Sequence, residues 1–154
     1  MAIMPNPIIY WYRQDLRTID LPGLAAAVAT GQPLLACYVL DEESPGEHPP
    51  GSASRWWLHY SLKALAADLD KLGIPLVLRR GPAARELGRL IEETGADAVY
   101  CTRHYEPWAR QVESQLHQEL QPAVTFKRYP GALLFEPEDI SNQSGQPFKA
   151  VSYT

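Results

Sequence analysis

The sequence predicts an α/β fold, in which an open, doubly wound, Rossmann-like sheet of five parallel strands carries helices on both faces. The first observation is that short apolar runs alternate with longer amphipathic stretches between residues 8 and 130, in the order βαβαβαβαβ. The second is that most runs are apolar on consecutive positions, which indicates burial on both faces of the sheet. Since parallel neighbours require right-handed crossovers, the helical stretch between successive runs fits the same architecture.

Five short apolar runs are the predicted strands. They lie at residues 8–12, 34–40, 76–78, 98–101 and 124–126. The last run, Val-Thr-Phe, is the least apolar of the five and is predicted to lie at an edge of the sheet.

The first two helices are predicted from their ends and their apolar spacing. The first follows Asp20, the expected N-cap, has Pro22 in its first turn and ends at Gly31. The second has one apolar face and ends at Gly73. That face is formed by Leu58, Leu62, Leu65, Leu69 and Leu72. Because the pair Trp56–Trp57 opens this helix, at least one of the two rings is expected to pack against the sheet.

Two further helices complete the alternation. The third begins at Gly81–Pro82 and ends before Gly95, and the fourth runs from about Pro107 to Pro122. The segment Asp41–Ser54 is rich in proline and glycine and is predicted to be an irregular surface loop after the second strand.

The alternation ends near residue 130, so residues 1–130 are interpreted as one domain and residues 131–154 as a C-terminal segment leading to a connector. Phe148, Val151 and Tyr153 have no partner element in the sequence, which is expected of a chain cut from a longer protein. We therefore expect apolar surface near this segment and a tendency of the chain to self-associate.

Composition narrows the class of protein. The 154 residues, of which 45% are hydrophobic and 21% charged, suffice for one domain with its own core and exclude global disorder. The net charge of -4 argues against a free-standing nucleic-acid-binding protein, because phosphate contacts favour basic domains. Without a membrane-length apolar run or a secretory signal, a cytoplasmic protein with no membrane partner is expected. Cys37 and Cys101 lie in apolar runs and are predicted to be reduced and buried.

Two loops are predicted to form a ligand crevice. In an open α/β sheet the crevice lies beyond the carboxyl ends of the strands, where strand order reverses. In the common five-strand order, which has the first strand at the centre, this point lies between the first and fourth strands. The loop after the first strand carries Arg13, Asp15 and Arg17. The loop after the fourth carries His104 and Glu106 among aromatic residues. Since arginine binds anions and aromatic faces stack on planar rings, the crevice is expected to suit a flat heteroaromatic ligand with polar edges or a phosphate.

Other interpretations of these residues stay open. Arg13, Asp15 and Arg17 could form a local ion network that orders their loop, and His104 could be a hydrogen-bonded loop residue. The pair Lys127–Arg128 is expected to be solvated. No metal site is predicted, because the histidines on predicted helices lack a second ligand at helical spacing. Glycine-rich phosphate loops and a nucleophile elbow are absent, and no catalytic residue is predicted.

Several motifs resemble those of the DNA photolyase and cryptochrome family. Residues 8–24, IIYWYRQDLRTIDLPGL, resemble the first strand of that family and its R-x-D-L-R loop. Similar segments follow in register over essentially the whole chain: Ser54-Arg55, LRRGP at 78–82, GADAVY at 95–100, Tyr105-Glu106-Pro107, LFEP at 134–137 and SGQPFKAVSYT at 144–154.

The resemblance implies a division of labour between two domains. In this family an N-terminal α/β domain binds a light-harvesting antenna chromophore, and a helical C-terminal domain binds FAD and takes up damaged DNA. This chain is therefore expected to be the antenna domain of a deoxyribodipyrimidine photolyase, a light-driven lyase that splits cyclobutane pyrimidine dimers. Alone it is expected to be inactive, with its own helical FAD domain as partner. A cryptochrome-type blue-light receptor and an unrelated nucleotide-binding domain are the alternatives.

The resemblance also implies site residues and a class of chromophore. The candidate binding residues are Arg13, Asp15, Arg17, Asp41, Arg55, His104 and Glu106. Relatives with a folate antenna commonly carry polar and acidic groups one turn beyond the Tyr-Glu pair, where this chain has Trp108 and Ala109. A deazaflavin or flavin antenna is therefore favoured over a folate, and an antenna-free member stays open.

Overall fold

The computed structural model describes residues 5–120, 122–142 and 144–146. Its five strands are β1 (Ile8–Tyr12), β2 (Leu34–Leu40), β3 (Leu76–Arg80), β4 (Ala98–Thr102) and β5 (Thr125–Tyr129). Its four α-helices are α1 (Pro22–Ala29), α2 (Ser52–Lys71), α3 (Ala83–Thr94) and α4 (Pro107–Leu120). A short 3-10 helix at Pro137–Asp139 follows β5. The predicted alternation of strands and helices is confirmed.

The five strands form one sheet in the order β3-β2-β1-β4-β5, and every pair is parallel. β1 is the central strand: Tyr10 lies opposite Ala36 of β2 and opposite Tyr100 of β4. The order reverses between β1 and β4, as predicted, because the chain winds outward through β2 and β3 and then crosses to the other side of β1.

Helices cover both faces of the sheet and bury two separate clusters of side chains. On one face α3 and α4 pack over Ile9 and Trp11, and on the other α1 and α2 pack over Ile8, Tyr10 and Tyr12. All five residues of β1 are buried, since successive side chains of a strand point to opposite faces and both faces are covered. This explains why the first apolar run is continuous rather than alternating.

The start of α1 differs from the prediction. Leu21 rather than Asp20 is the N-cap residue, and no side chain caps this end of the helix. Asp20 has a positive φ of 51°, and its backbone carbonyl accepts hydrogen bonds from Arg17. Asp20 thus belongs to the loop that precedes the helix. The helix begins at Pro22, a residue that suits this position because it has no backbone N–H group to satisfy.

α2 includes the last three residues of the predicted loop 41–54 and presents aromatic residues to solvent. Trp56 is 61% exposed and Trp57 is 70% exposed, so the expectation that one of them packs on the sheet is wrong. Leu65 and Leu69 are buried, whereas Leu72 is 57% exposed. Both buried residues of α2 thus lie in its C-terminal half, and its N-terminal half has no buried residue.

The two cysteines are free and buried, as predicted. Burial raises the pKa of Cys37 and of Cys101 to about 12, since a thiolate is poorly solvated in the core. Both thiols are therefore inert side chains of the core.

The segment after β5 is tied to the sheet by polar contacts and exposes apolar side chains. Tyr105 donates a 2.8 Å hydrogen bond to Glu136, and Arg103 forms a 3.0 Å ion pair with the same carboxylate. The exposed apolar side chains are Leu133, Leu134, Phe135 and Ile140. The predicted apolar residues Phe148, Val151 and Tyr153 lie outside the described residues. None of the described helices combines the length and apolarity needed to cross a membrane.

Candidate functional site

A cavity of about 430 Å³ opens at the carboxyl ends of β1 and β4, where the strand order reverses. Three aromatic side chains line it: Trp11 of β1, Tyr38 of β2 and Trp108 of α4. The predicted site residues that line it are Arg13, Asp41, His104 and Glu106. The crevice expected from topology is therefore present, with aromatic walls and charged groups on the same cavity.

Arg13 is a buried cation that closes one side of the cavity. Its side chain is 8% exposed, and its guanidinium carbon lies 4.5 Å from the centre of the Trp11 ring. The guanidinium donates to the backbone carbonyl of Thr102 and forms a 2.7 Å ion pair with Glu113. These contacts hold the Arg13 side chain in one position beside the cavity. Binding of a ligand would therefore not have to order this side chain, which would otherwise cost conformational entropy.

Glu113 organises this wall and was not predicted from the sequence. Its side chain is 1% exposed, pairs with Arg13 and with Arg128 at 2.9 Å, and accepts a 3.2 Å hydrogen bond from the backbone N–H of His104. Arg128 is half-exposed, as predicted, but it also pairs with this buried carboxylate, which the sequence did not indicate. One signal was available: Glu113 interrupts the apolar face of α4 between Val112 and Leu116.

Buried nitrogen atoms without a partner concentrate at the cavity. Within the described part of the chain, four such atoms belong to cavity-lining residues: Trp11 Nε1, Arg13 Nε, Arg13 Nη1 and His104 Nδ1. A buried polar group without a partner costs free energy, so native proteins rarely keep several at one place without a reason. Trp11 and Arg13 thus bring unsatisfied N–H donors to the wall of the cavity, and a ligand with hydrogen-bond acceptors is the complementary partner for them.

His104 and Glu106 form the floor between this cavity and a second one of about 590 Å³. His104 Nδ1 lies 3.7 Å from a carboxylate oxygen of Glu106. Burial and the nearby Arg13 cation lower the pKa of His104. Burial alone would raise the pKa of Glu106, but hydrogen bonds from the backbone N–H groups of Glu106 and Tyr105 help to hold it below its ordinary value. At neutral pH the pair thus presents a neutral imidazole beside a carboxylate.

The lowered pKa of His104 predicts a pH-dependent stability. The unfolded chain binds a proton near the ordinary value of 6.5, while folded His104 does so only at lower pH, so protonation favours unfolding in that window. We expect the free energy of unfolding to fall as the pH drops below about 6.5, and less steeply in H104Q. Denaturant unfolding at several pH values measures this. H59Q, which removes an exposed histidine of α2 that lines neither cavity, is the matched control for the loss of one imidazole.

Asp15 and Arg17 line the second cavity instead of the first. Asp15 is 8% exposed and accepts hydrogen bonds from the Thr102 hydroxyl at 2.6 Å and the Tyr10 hydroxyl at 3.2 Å. Arg17 donates to backbone carbonyls, including that of Gly131 at 3.1 Å. The alternative of a local ion network therefore does not hold, since both side chains are bound by neutral groups of the loops and strands.

Asp41 and Arg55 both have partners within the protein, but only Asp41 lines the cavity. Asp41 accepts a 2.9 Å hydrogen bond from the backbone N–H of Ala83, at the start of α3, and a 2.6 Å bond from the Ser44 hydroxyl. Arg55 pairs with Glu42 at 3.0 Å on the surface and does not line the cavity. In the described ranges, no group of three or more His, Cys, Asp or Glu residues is arranged to hold a metal ion.

Comparisons with family models, curated proteins and solved structures all match this chain to photolyases and cryptochromes. The family model described as DNA photolyase matches residues 8–153. A deoxyribodipyrimidine photo-lyase of Agrobacterium fabrum is 42% identical over 153 residues, and cryptochrome-1 of Arabidopsis thaliana is 34% identical over 142 residues. These alignments cover 99% and 91% of this chain, but 31% and 21% of the two relatives. The crystal structure of a bacterial class III photolyase from Agrobacterium tumefaciens superposes with a TM-score of 0.86 at 39% identity, over 97% of this chain and 31% of that one.

Proposed function

This chain belongs to the DNA photolyase family, and we propose that it is the light-harvesting, chromophore-binding domain of a deoxyribodipyrimidine photolyase. The chain spans about a third of the length of its photolyase relatives. Light-driven splitting of cyclobutane pyrimidine dimers is therefore proposed for the protein of which this domain is part, and no catalytic residue is assigned within it. Family membership removes the alternative of an unrelated nucleotide-binding domain.

One observation carries the proposal: an aromatic-walled cavity with unpartnered donors lies at the reversal point between β1 and β4. Ligands of open α/β sheets bind at this point. The aromatic side chains supply faces for a planar ring, and the cavity volume is in the range of small-molecule sites. The residues present therefore fit a flat chromophore.

The donors favour a flavin or a deazaflavin over a folate. The dione edge of a flavin or deazaflavin presents carbonyl oxygens, which the N–H groups of Trp11 and Arg13 can satisfy. A pterin ring carries an amino group in place of one of these two carbonyls at the corresponding edge, so it offers the Trp11 and Arg13 donors one acceptor fewer. Trp108 and Ala109 also line the cavity with apolar surface. Arg13, His104 and Glu106 are the residues that we propose to contact the chromophore, with Asp41 at the rim.

A binding experiment on the 154-residue chain tests this assignment. Riboflavin and 5-deazariboflavin should bind with quenching of their fluorescence by the neighbouring tryptophans, and methenyltetrahydrofolate should bind more weakly. W108A removes one wall and should weaken flavin binding about tenfold, because an aromatic contact and its buried area are lost.

W56A is the matched control for this experiment. Trp56 is 61% exposed and does not line the cavity, so its removal should leave the flavin affinity unchanged. Tighter binding of the folate than of either flavin would overturn the chromophore class. Absence of binding by all three compounds would overturn the antenna role itself.

A cryptochrome-type photoreceptor is the second candidate, because cryptochrome-1 of Arabidopsis thaliana is also among the relatives. The higher identity to the Agrobacterium photolyase favours the lyase. Repair of a dimer-containing oligonucleotide under blue light, by a preparation that joins this domain to its helical FAD-binding domain, distinguishes the two.

The partner that we propose is this helical FAD-binding domain, which would contact damaged DNA. The exposed apolar residues Leu134 and Phe135 support a docking surface in the segment after residue 130. The division into residues 1–130 and 131–154 stays a prediction, as do self-association of the isolated chain and its cytoplasmic location.

A further inference from the structure

A second polar site lies on the opposite side of Glu113 from the chromophore cavity. It is a cavity of about 270 Å³ between α4 and the edge strand β5, lined by Arg110, Glu113, Ser114, His117 and Arg128. We propose that this cavity binds a small phosphate-type oxyanion. The site shares no lining residue with the cavity assigned to the chromophore, and the inference does not depend on the proposed function.

Helical spacing brings three of the proposed contacts together. Arg110, Ser114 and His117 are separated by four and three residues, so they lie on one face of α4. Arg128 reaches the same cavity from β5. Donors therefore approach the cavity from two elements rather than from one flexible segment.

The residues that line the cavity include more positive than negative side chains, whereas the whole chain has a negative net charge. Glu113 is the one carboxylate among the residues that line the cavity, and it pairs with Arg13 at 2.7 Å as well as with Arg128 at 2.9 Å, so the cations Arg110 and Arg128 outnumber the negative charge at the cavity. The whole chain carries a net charge of -4, so this pocket departs from the overall sign. A local positive potential in an acidic protein attracts anions to that one place.

Arg128 is positioned in advance for an additional ligand. The Nη1 atom of Arg128 donates a 2.9 Å hydrogen bond to Glu113. Among the residues that the structure describes, this carboxylate is the one acceptor that the Arg128 side chain contacts. The other N–H groups of the guanidinium remain available as donors. Across the same described residues, Arg110 has no ion-pair partner. Two guanidinium groups, a hydroxyl and an imidazole match the acceptor oxygens of a phosphate group.

Calorimetric titration of the 154-residue chain with inorganic phosphate, at low and constant ionic strength, tests the proposal. R110Q removes one guanidinium without touching the Glu113 network and should weaken phosphate binding about tenfold. K63Q makes the same change of charge at an exposed position of α2 and should leave the affinity unchanged. Thermal unfolding without phosphate should be the same for all three proteins, and phosphate should raise the Tm of the wild type more than that of R110Q.

Three outcomes would overturn the proposal. The first is absence of binding to the wild type at millimolar phosphate. The second is an equal loss in R110Q and K63Q, which would indicate a general effect of net charge. The third is binding of a short DNA duplex through Arg110 without binding of inorganic phosphate, which would make the cavity part of a nucleic-acid surface.

Discussion

L65D should abolish cooperative folding of the chain. Leu65 is 2% exposed and belongs to the cluster between α2 and the sheet, with Leu69 and Ile8. An aspartate there would remove the apolar contacts and bury a carboxylate for which this cluster offers no cation. The expected cost exceeds about 5 kcal/mol, which is comparable with the whole stability of a domain of this size. Circular dichroism during heating measures the effect.

L72D is the control for that substitution. Leu72 follows the last turn of the same helix but is 57% exposed, so the same change should lower the Tm by only a few degrees. A cooperative transition of L65D at the wild-type temperature would show that α2 does not lie on the sheet as described.

E113Q should be the most destabilising substitution of a polar residue in the site. The change keeps the volume of the side chain but removes the charge between Arg13 and Arg128, and it leaves the guanidinium of Arg13 buried without a counter-ion. Breaking a buried ion pair by removing one partner costs about 3 kcal/mol, which corresponds to a fall in Tm of about 9 °C. Denaturant unfolding of wild type and variant gives the value.

Two further proteins separate the loss of the ion pair from other effects. E119Q makes the same substitution on an exposed position of α4 and should change the stability little. The double variant R13Q/E113Q should be more stable than the sum of its two single changes predicts, because the uncompensated buried charge is gone. Strict additivity would contradict a direct interaction of Arg13 with Glu113.

The sequence predicted the fold more completely than the site. Strand and helix positions follow from local periodicity, and the place of the crevice follows from strand order. The main local error concerned the exposed pair Trp56–Trp57. Aromatic residues are assigned to the core by default, and the sequence does not show which part of a helix packs on the sheet. Leu72 shows the same limit, because the apolar stripe of α2 is longer than the surface it covers.

The prediction of the site depended on which residues meet across long separations in sequence. Arg13 and His104 could be placed at the crevice because each follows a strand whose position was predicted. Glu113 was missed although it interrupts the apolar face of α4, because a charged residue on an amphipathic helix is assigned to solvent unless its partners are known. Arg55 was included through the resemblance, but its guanidinium lies on the surface with Glu42.

The sequence by itself determined the strands, the helices and their layers, because backbone hydrogen bonding and burial repeat with a regular period. The edge of the sheet where a ligand would bind then follows from the common strand order of such sheets. Tertiary structure alone decided which polar groups meet: Arg13 and the half-exposed Arg128 pair with the two oxygens of Glu113, and Asp15 is bound by two hydroxyl groups instead of an arginine. The sequence does not show these pairs because the interaction of two charges depends on their distance and burial in the folded chain, and neither quantity follows a periodic pattern along the sequence.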